Sequence, residues 1–219
     1  MDIDFAAIRQ QMVDNQVRTT DVTEHRLLDA LLSVPREDFV PEDKKVLAYI
    51  DADIELSTEG RYVLEPSPLA KLIQAAEVRA SEKVLEVGAG SGYVSAVLSH
   101  LADEVIALEV DSDLVMQAKD NLTAGGYNNV SVVSGDLAAG HKSNAPYDLI
   151  FVNGALGVEP VQLFTQMAEG GRMITVIGSG GAAQALLYVK ENNQISSRKL
   201  FNISIPALPG FEKAAEFVF

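Results

Sequence analysis

The chain contains no cysteine, which removes disulfides, thiolate metal sites and a cysteine nucleophile, and accords with a reducing compartment. It is also poor in basic residues: 17 Lys and Arg stand against 31 Asp and Glu, a formal net charge of −14. That excess repels nucleic-acid phosphates and anionic membrane surfaces, so neither is expected as a partner. No apolar run approaches the length of a membrane span, and the acidic start Met1-Asp2-Ile3-Asp4 is unlike a signal peptide. A cytoplasmic location follows as the expectation. His25, His100 and His141 are scattered, no His-Glu-x-x-His occurs, and no Gly-x-Ser-x-Gly elbow is found, so neither a metal site nor a serine hydrolase is expected. What is present is 219 residues, 47% hydrophobic and 22% charged, enough for one large core with a small appendage.

The most informative stretch is residues 83–93, KVLEVGAGSGY. An apolar run over 84–87 predicts a buried strand; glycines at 88, 90 and 92 predict a tight turn, and the apolar spacing of 93–101 predicts a helix. The dinucleotide fingerprint needs its third glycine where Tyr93 stands. Glu86, two residues before Gly88, would face a pyrophosphate with like charge. A cation would be welcome there. S-adenosylmethionine (SAM) carries a sulfonium and an ammonium and no phosphate, so the charge pattern favours it over a nucleotide. Glu109 follows Gly88 by 21 residues, the spacing at which an acidic group at the next strand end holds ribose hydroxyls. Asp136, after a third strand, can accept from an adenine amino group. The predicted cofactor set is Glu86, Gly88, Gly90, Ser91, Gly92, Glu109, Val110, Asp136, Leu137 and Asn153, with Ser91 a turn residue whose hydroxyl lies near the cofactor.

Along the chain, residues 5–18 carry apolar side chains at helical intervals. Asp21, with Glu24 three residues on, predicts the N-cap of a second helix through Leu27, Leu28, Leu31 and Leu32, ended by Pro35. Residues 34–41 read as a compact turn-rich segment, either a plain connector or one that Phe39 and Val40 staple to the core; 48–68 read as a long irregular loop, and Pro68 as the start of a helix through Ala76. Strands are expected at 84–87, 104–110, 130–133, 149–152 and 173–177, with helices at 93–101, 114–122 and 161–167. Runs at 185–189 and 200–205 flank Glu191-Asn192-Asn193 and predict a C-terminal β-hairpin. The alternation gives an α/β fold: a doubly wound, Rossmann-like sheet with an N-terminal helical appendage. Residues 1–66 hold the N-terminal helices and a loop; 67–219 form the cofactor-binding core, and the whole packs as one unit.

With these residues in place, the chain resembles the SAM-dependent methyltransferases and, within them, the protein-L-isoaspartate O-methyltransferase family. Met12-Val13-x-x-Gln16-Val17, Leu28-x-Ala30, Val34-Pro35-Arg36, Phe39-Val40-Pro41 and Ala48-Tyr49-x-Asp51 resemble its N-terminal signature. The residue 84–93 stretch, Gly135-Asp136, Ala145-Pro146-Tyr147-Asp148 and Glu169-Gly170-Gly171-Arg172 resemble its catalytic-domain signature. The resemblance implies SAM as cofactor and, as partner, a protein or peptide carrying isoaspartyl residues; the sequence leaves the oligomeric state open, with a monomer favoured. It departs in the acceptor loop. Where the family has Gly-Gln-Thr-Ile-Ser-Gln-Pro, this chain has Gly60-Arg61-Tyr62-Val63-Leu64-Glu65-Pro66. The family serine position is Leu64, so no catalytic residue is assigned; Ser57 and Thr58 are the nearest hydroxyl candidates. The family's Arg-Gly-Ile after the first helix is also absent, with Arg18-Thr19-Thr20-Asp21-Val22 in its region. The alternative is a SAM-binding relative with another acceptor or a non-catalytic regulatory role.

Overall fold

The computed structural model describes residues 3–56 and 60–212. The N-terminal apolar stripe forms α1 (Phe5–Met12), capped by Asp4 accepting from the Ala7 N–H, and runs on through a wider turn at Val13–Val17 and a 3-10 turn at Arg18–Thr20. Asp21 does not cap the second helix. It sits in the left-handed region (φ 66°) closing that turn, and Glu24 caps α2 (His25–Ser33) by accepting from the Arg26 and Leu27 N–H groups. A short helical turn at Arg36–Phe39 follows, buried at Arg36, Glu37 and Phe39, and Phe39 and Val40 staple the segment to the core as expected.

The stretch expected to be irregular holds a small hairpin, β1 (Ile54–Glu55) against β2 (Tyr62–Val63). From it the chain enters α3 (Pro66–Ala76), two residues earlier than expected, with Pro66 at the first helical position, where a missing N–H costs nothing. The remaining elements alternate: β3 (Lys83–Val87), α4 (Tyr93–Ser99), β4 (Glu104–Glu109), α5 (Ser112–Ala124), β5 (Val130–Ser134), β6 (Tyr147–Leu156), α6 (Val161–Phe164), β7 (Met167–Ile177), then β8 (Gln184–Glu191) and β9 (Gln194–Asn202). Helix α6 is one turn long. The rest of the expected helix is lost: residues 165–166 form a turn and Met167 opens β7, the Tyr147 N–H donating to the Gln166 carbonyl at 2.9 Å and Tyr147 pairing with Met167. The β8–β9 turn is Asn192-Asn193, both at positive φ (51° and 60°), a residue type that tolerates what this hairpin turn requires.

The main sheet has the order β5-β4-β3-β6-β7-β8-β9, with β3 to β7 parallel and the last two strands antiparallel. Successive strands step outward from β3 in one direction to β5 and in the other from β6, so the order reverses between β3 and β6. In open α/β sheets the crevice at the carboxyl ends of that pair is where ligands bind. Period-two alternation splits the core. Val84, Leu149, Phe151 and Ile174 pack with α1 to α4, whereas Leu85, Val87, Ile150, Val152 and Met173 pack with Leu163, Tyr188, Leu208 and Phe211. The chain after β9 returns along the end of β6, with Ala155 donating to the Pro206 carbonyl and Leu208 to the Ala155 carbonyl, each at 2.8 Å.

Candidate functional site

The predicted cofactor residues from β3, β4 and β6 converge at that reversal point. Glu86 alternates to the α4 side of β3, opposite Phe151 of β6, and is fully buried. Its carboxylate accepts from the Ser95 hydroxyl of α4 and, at 3.1 Å, from the Asn153 side-chain amide. Asn153 reaches it because β6 loses register between Phe151 and Ala155, which turns the Asn153-Gly154 pair out of the ladder. The same amide donates to the Gly88 carbonyl at 3.1 Å, and the Asn153 Oδ1 is buried without a partner. Burial, with the neighbouring Glu109 charge adding to it and the Ser95 and Asn153 donors opposing, pushes the Glu86 carboxyl up to about 7.

Gly88 bends the chain at φ +89°, and its N–H and that of Ala89 both donate to the Leu108 carbonyl. This ties the turn to β4, whose last residue, Glu109, is fully buried. Glu109 Oε2 accepts from the Gly90 N–H at 2.7 Å, and Oε1 accepts from the Val110 N–H at 2.8 Å and the Asp111 N–H at 3.1 Å. A fourth donor is Arg61 of the loop leading into β2, whose Nη1 lies 2.8 Å from Oε1 with both side chains out of solvent. The charge of Arg61 carried no weight in the sequence. Its signal there was a cation where the family motif has glutamine.

The other predicted residues spread further. The Ser91 hydroxyl donates to the Phe39 carbonyl at 2.5 Å, joining the turn to the Arg36–Phe39 segment. Gly92 caps α4. Val110 is largely exposed and Leu137 buried. Asp136 is exposed and accepts from the Ala138 N–H at 2.9 Å. Ser57 and Thr58 lie outside the described residues. Leu64 is buried, and its carbonyl, not its side chain, is engaged, accepting from Arg36 Nη2 at 2.6 Å. Arg36 is itself buried against the Tyr93 ring, its guanidinium carbon 4.8 Å from the ring centre.

Above the glycine turn the space is occupied. Leu208 Cδ1 lies 2.6 Å from where a Cβ on Gly88 would sit and Arg61 Nη2 lies 3.1 Å from it; Leu56 Cδ1 stands 3.1 Å from the equivalent point on Gly90. A void of about 10 Å³ remains between Ala89, Tyr93, Asn153 and the β1–β2 hairpin. An open cleft of about 570 Å³ lies on the outer side, between Asp53, Gly60, Tyr62 and residues 206–209, with Leu208 in its wall.

Comparison with known proteins matches residues 7–207 to the family model of protein-L-isoaspartate(D-aspartate) O-methyltransferase. The protein-L-isoaspartate O-methyltransferase of Koribacter versatilis (strain Ellin345) is 36% identical over 196 residues, 90% of this chain and 88% of that protein. That of Roseiflexus sp. (strain RS-1) is 35% identical over 216 residues, 98% of each. A solved protein-L-isoaspartate O-methyltransferase superposes with a TM-score of 0.80 at 27% identity, covering 93% of this chain and 67% of that one. A putative Plasmodium falciparum enzyme of the same description, solved with S-adenosyl-L-homocysteine, shares the fold at a TM-score of 0.77 and 19% identity, over 94% and 99% of the two chains.

Proposed function

The chain belongs to the protein-L-isoaspartate(D-aspartate) O-methyltransferase family, and from that premise we infer that it is a SAM-dependent methyltransferase acting on the carboxylate of isoaspartyl residues in proteins or peptides. The observation that supports the cofactor reading best is the Glu86 and Asn153 pair, a buried carboxylate beside a buried carbonyl oxygen that has no donor. Such a pair suits a cation and repels a phosphate. The residues fit the group. Glu86 and Asn153 Oδ1 would take its ammonium, the turn at 88–92 would let it approach the main chain, and Glu109 would take its ribose hydroxyls. Asp136 would take the adenine amino group, flanked by Val110 and Leu137.

When bound, the cofactor supplies an electrophilic methyl group on sulfur. An acceptor carboxylate with a pKa near ~4 is already ionised at neutral pH, so no general base is required of the chain. Its work is to hold one carboxylate oxygen in line with the methyl group and to exclude water. Residues 60–66, which lead through β2 into α3, would border that position. No helix among the described residues is long and apolar enough to cross a membrane. The net charge of −14 disfavours nucleic acid as the substrate, and the chain is read as a cytoplasmic protein that acts on polypeptide.

Transfer of labelled methyl from SAM to an isoaspartyl peptide, against the same peptide with normal aspartate, tests the function. A methyl ester formed on the isoaspartyl peptide alone is expected. No ester on either, with SAM bound, would favour the second reading, a SAM-binding relative with another acceptor or a regulatory role. The replacement of the family threonine and serine by Tyr62 and Leu64 supports that reading.

A further inference from the structure

We propose that Arg61 is a tethered competitor of the cofactor, a cation supplied by the chain itself that must leave Glu109 before the adenosyl ligand can bind. The proposal rests on the reading of this crevice as the SAM site and concerns how that site is controlled.

The first argument is crowding at one oxygen. A carboxylate oxygen offers about two lone-pair positions, and Glu109 Oε1 already carries three donors, Arg61, the Val110 N–H and the Asp111 N–H, while Oε2 accepts from the Gly90 N–H. The three main-chain donors belong to the turn and to the end of β4, and they hold the carboxylate in place whether or not a ligand is present. Arg61 is the one donor that comes from elsewhere, 48 residues earlier in the chain. Vicinal hydroxyls that bond to both carboxylate oxygens need the place on Oε1 where Arg61 now sits.

The second argument is space. Ligand pockets for molecules of this size run to about 300–1,000 Å³, whereas the void beside the turn is about 10 Å³, room for about one water at most. Arg61 Nη2 and Leu208 Cδ1 cover Gly88, and Leu56 Cδ1 covers Gly90. Gly88 through Gly92 are consequently all buried.

The third argument separates a covered site from a decayed one. Glu86 and Asn153 keep a buried carboxylate and an unpartnered buried carbonyl, an arrangement that is costly without a ligand and that apolar residues would replace had binding been lost. The cation-binding half of the site is kept while the ribose half is occupied. Arg61 also stands where the resemblance places glutamine, a neutral residue that cannot pair with Glu109 as an ion. Arg61→Gln therefore removes the competitor and leaves a side chain of similar length.

Calorimetric titration of S-adenosylhomocysteine and SAM into the wild type and R61Q tests the proposal, with the rate of S-adenosylhomocysteine binding followed in a stopped-flow instrument through tyrosine fluorescence. The expected result is a Kd at least tenfold lower in R61Q. The observed wild-type rate is expected to level off as ligand rises, because ligand waits for the Arg61 to Glu109 pair to open. Equal affinities would overturn the proposal while leaving the site reading intact, and weaker binding by R61Q would make Arg61 a ligand-holding residue instead. Should R61Q fail to fold, the wild-type rate decides: a linear dependence on ligand concentration overturns the proposal. If neither protein binds either compound at millimolar concentration, the cofactor reading itself falls, and the proposal with it.

Discussion

Replacing Glu86 by Gln isolates the energetic cost of keeping a buried carboxylate ready for a cation. Gln preserves both contacts: its carbonyl accepts from the Asn153 amide, and its own amide donates to the Ser95 hydroxyl oxygen, so the change removes charge and little else. Burial raises Glu86 from its reference value of 4.5 to about 7. Between those values the folded protein holds a proton that the unfolded chain has released, so stability falls as pH rises, and the loss is complete above the folded-state value. Linkage puts the cost of the wild-type carboxylate at about 1 kcal/mol at pH 5.5 and about 3 kcal/mol at pH 8.5. The stability of E86Q minus that of the wild type should therefore grow by roughly 2 kcal/mol across this range. In a domain of this size that is a divergence in Tm of about 4–8 °C. Urea unfolding of both proteins at each pH measures it, and taking the difference cancels every other titrating group. The same variant should lose cofactor affinity by ~1.5–3 kcal/mol, the usual worth of hydrogen bonds to a charged group. A stability difference that stays flat from pH 5.5 to 8.5 would refute the reasoning, because it would mean that Glu86 is as well solvated folded as unfolded.

Three other variants probe different parts of the fold. Glu109→Ala should weaken S-adenosylhomocysteine binding in calorimetry and also lower folding stability by about 3–5 kcal/mol, since it leaves the Arg61 guanidinium buried and unpaired; unchanged affinity would remove Glu109 from the ribose site. Arg172→Ala should cost a similar ~3–5 kcal/mol in urea unfolding, because Arg172 pairs with Glu82 through two nitrogens at 2.7 and 2.8 Å and donates to the Ala76 and Glu77 carbonyls at the end of α3. Burial pushes Glu82 up, but the Arg172 pair outweighs it and holds the carboxyl below its usual value. The wild-type advantage should therefore shrink as pH falls through the acid range. The double change Tyr62→Thr with Leu64→Ser should raise the rate on an isoaspartyl peptide if polar contact to the acceptor is what the loop lacks. It should also lower stability by ~2–4 kcal/mol for the loss of the buried Leu64 side chain.

The sheet was legible because each of its signals is local. A buried parallel strand reads as an apolar run, a strand-to-helix turn as glycines, and the Gly88 to Glu109 interval as one βαβ unit. Boundaries failed where tertiary pairing outweighed a local pattern. By residue type Asp21 is the better cap, with Glu24 at the capping-box position, yet the left-handed turn at Asp21 handed the role to Glu24. The apolar spacing of 161–167 gave way to the pairing of Met167 with Tyr147. Arg61 and Leu208 were illegible for a different reason. In sequence each is an ordinary residue in an irregular segment. What brings both onto Gly88 is the strand order, since the β1–β2 hairpin and the segment after β9 both arrive at the carboxyl edge of β3.

The same geometry explains how a nearly complete family signature coexists with an altered acceptor loop. Arg36, in Val34-Pro35-Arg36, donates to the Ala48 carbonyl and the Leu64 carbonyl, each at 2.6 Å, and stacks on Tyr93. Ser91 donates to the Phe39 carbonyl. These bonds clamp the loop and the helical N-terminal segment to the glycine turn, and all of them address main-chain oxygens. A clamp made to the backbone of residue 64 is indifferent to the side chain there, so Leu64 is held where a serine would be held. The residues that carry the resemblance therefore set where the loop lies. The residues that depart from it, Arg61, Tyr62 and Leu64, are free to decide what the loop admits.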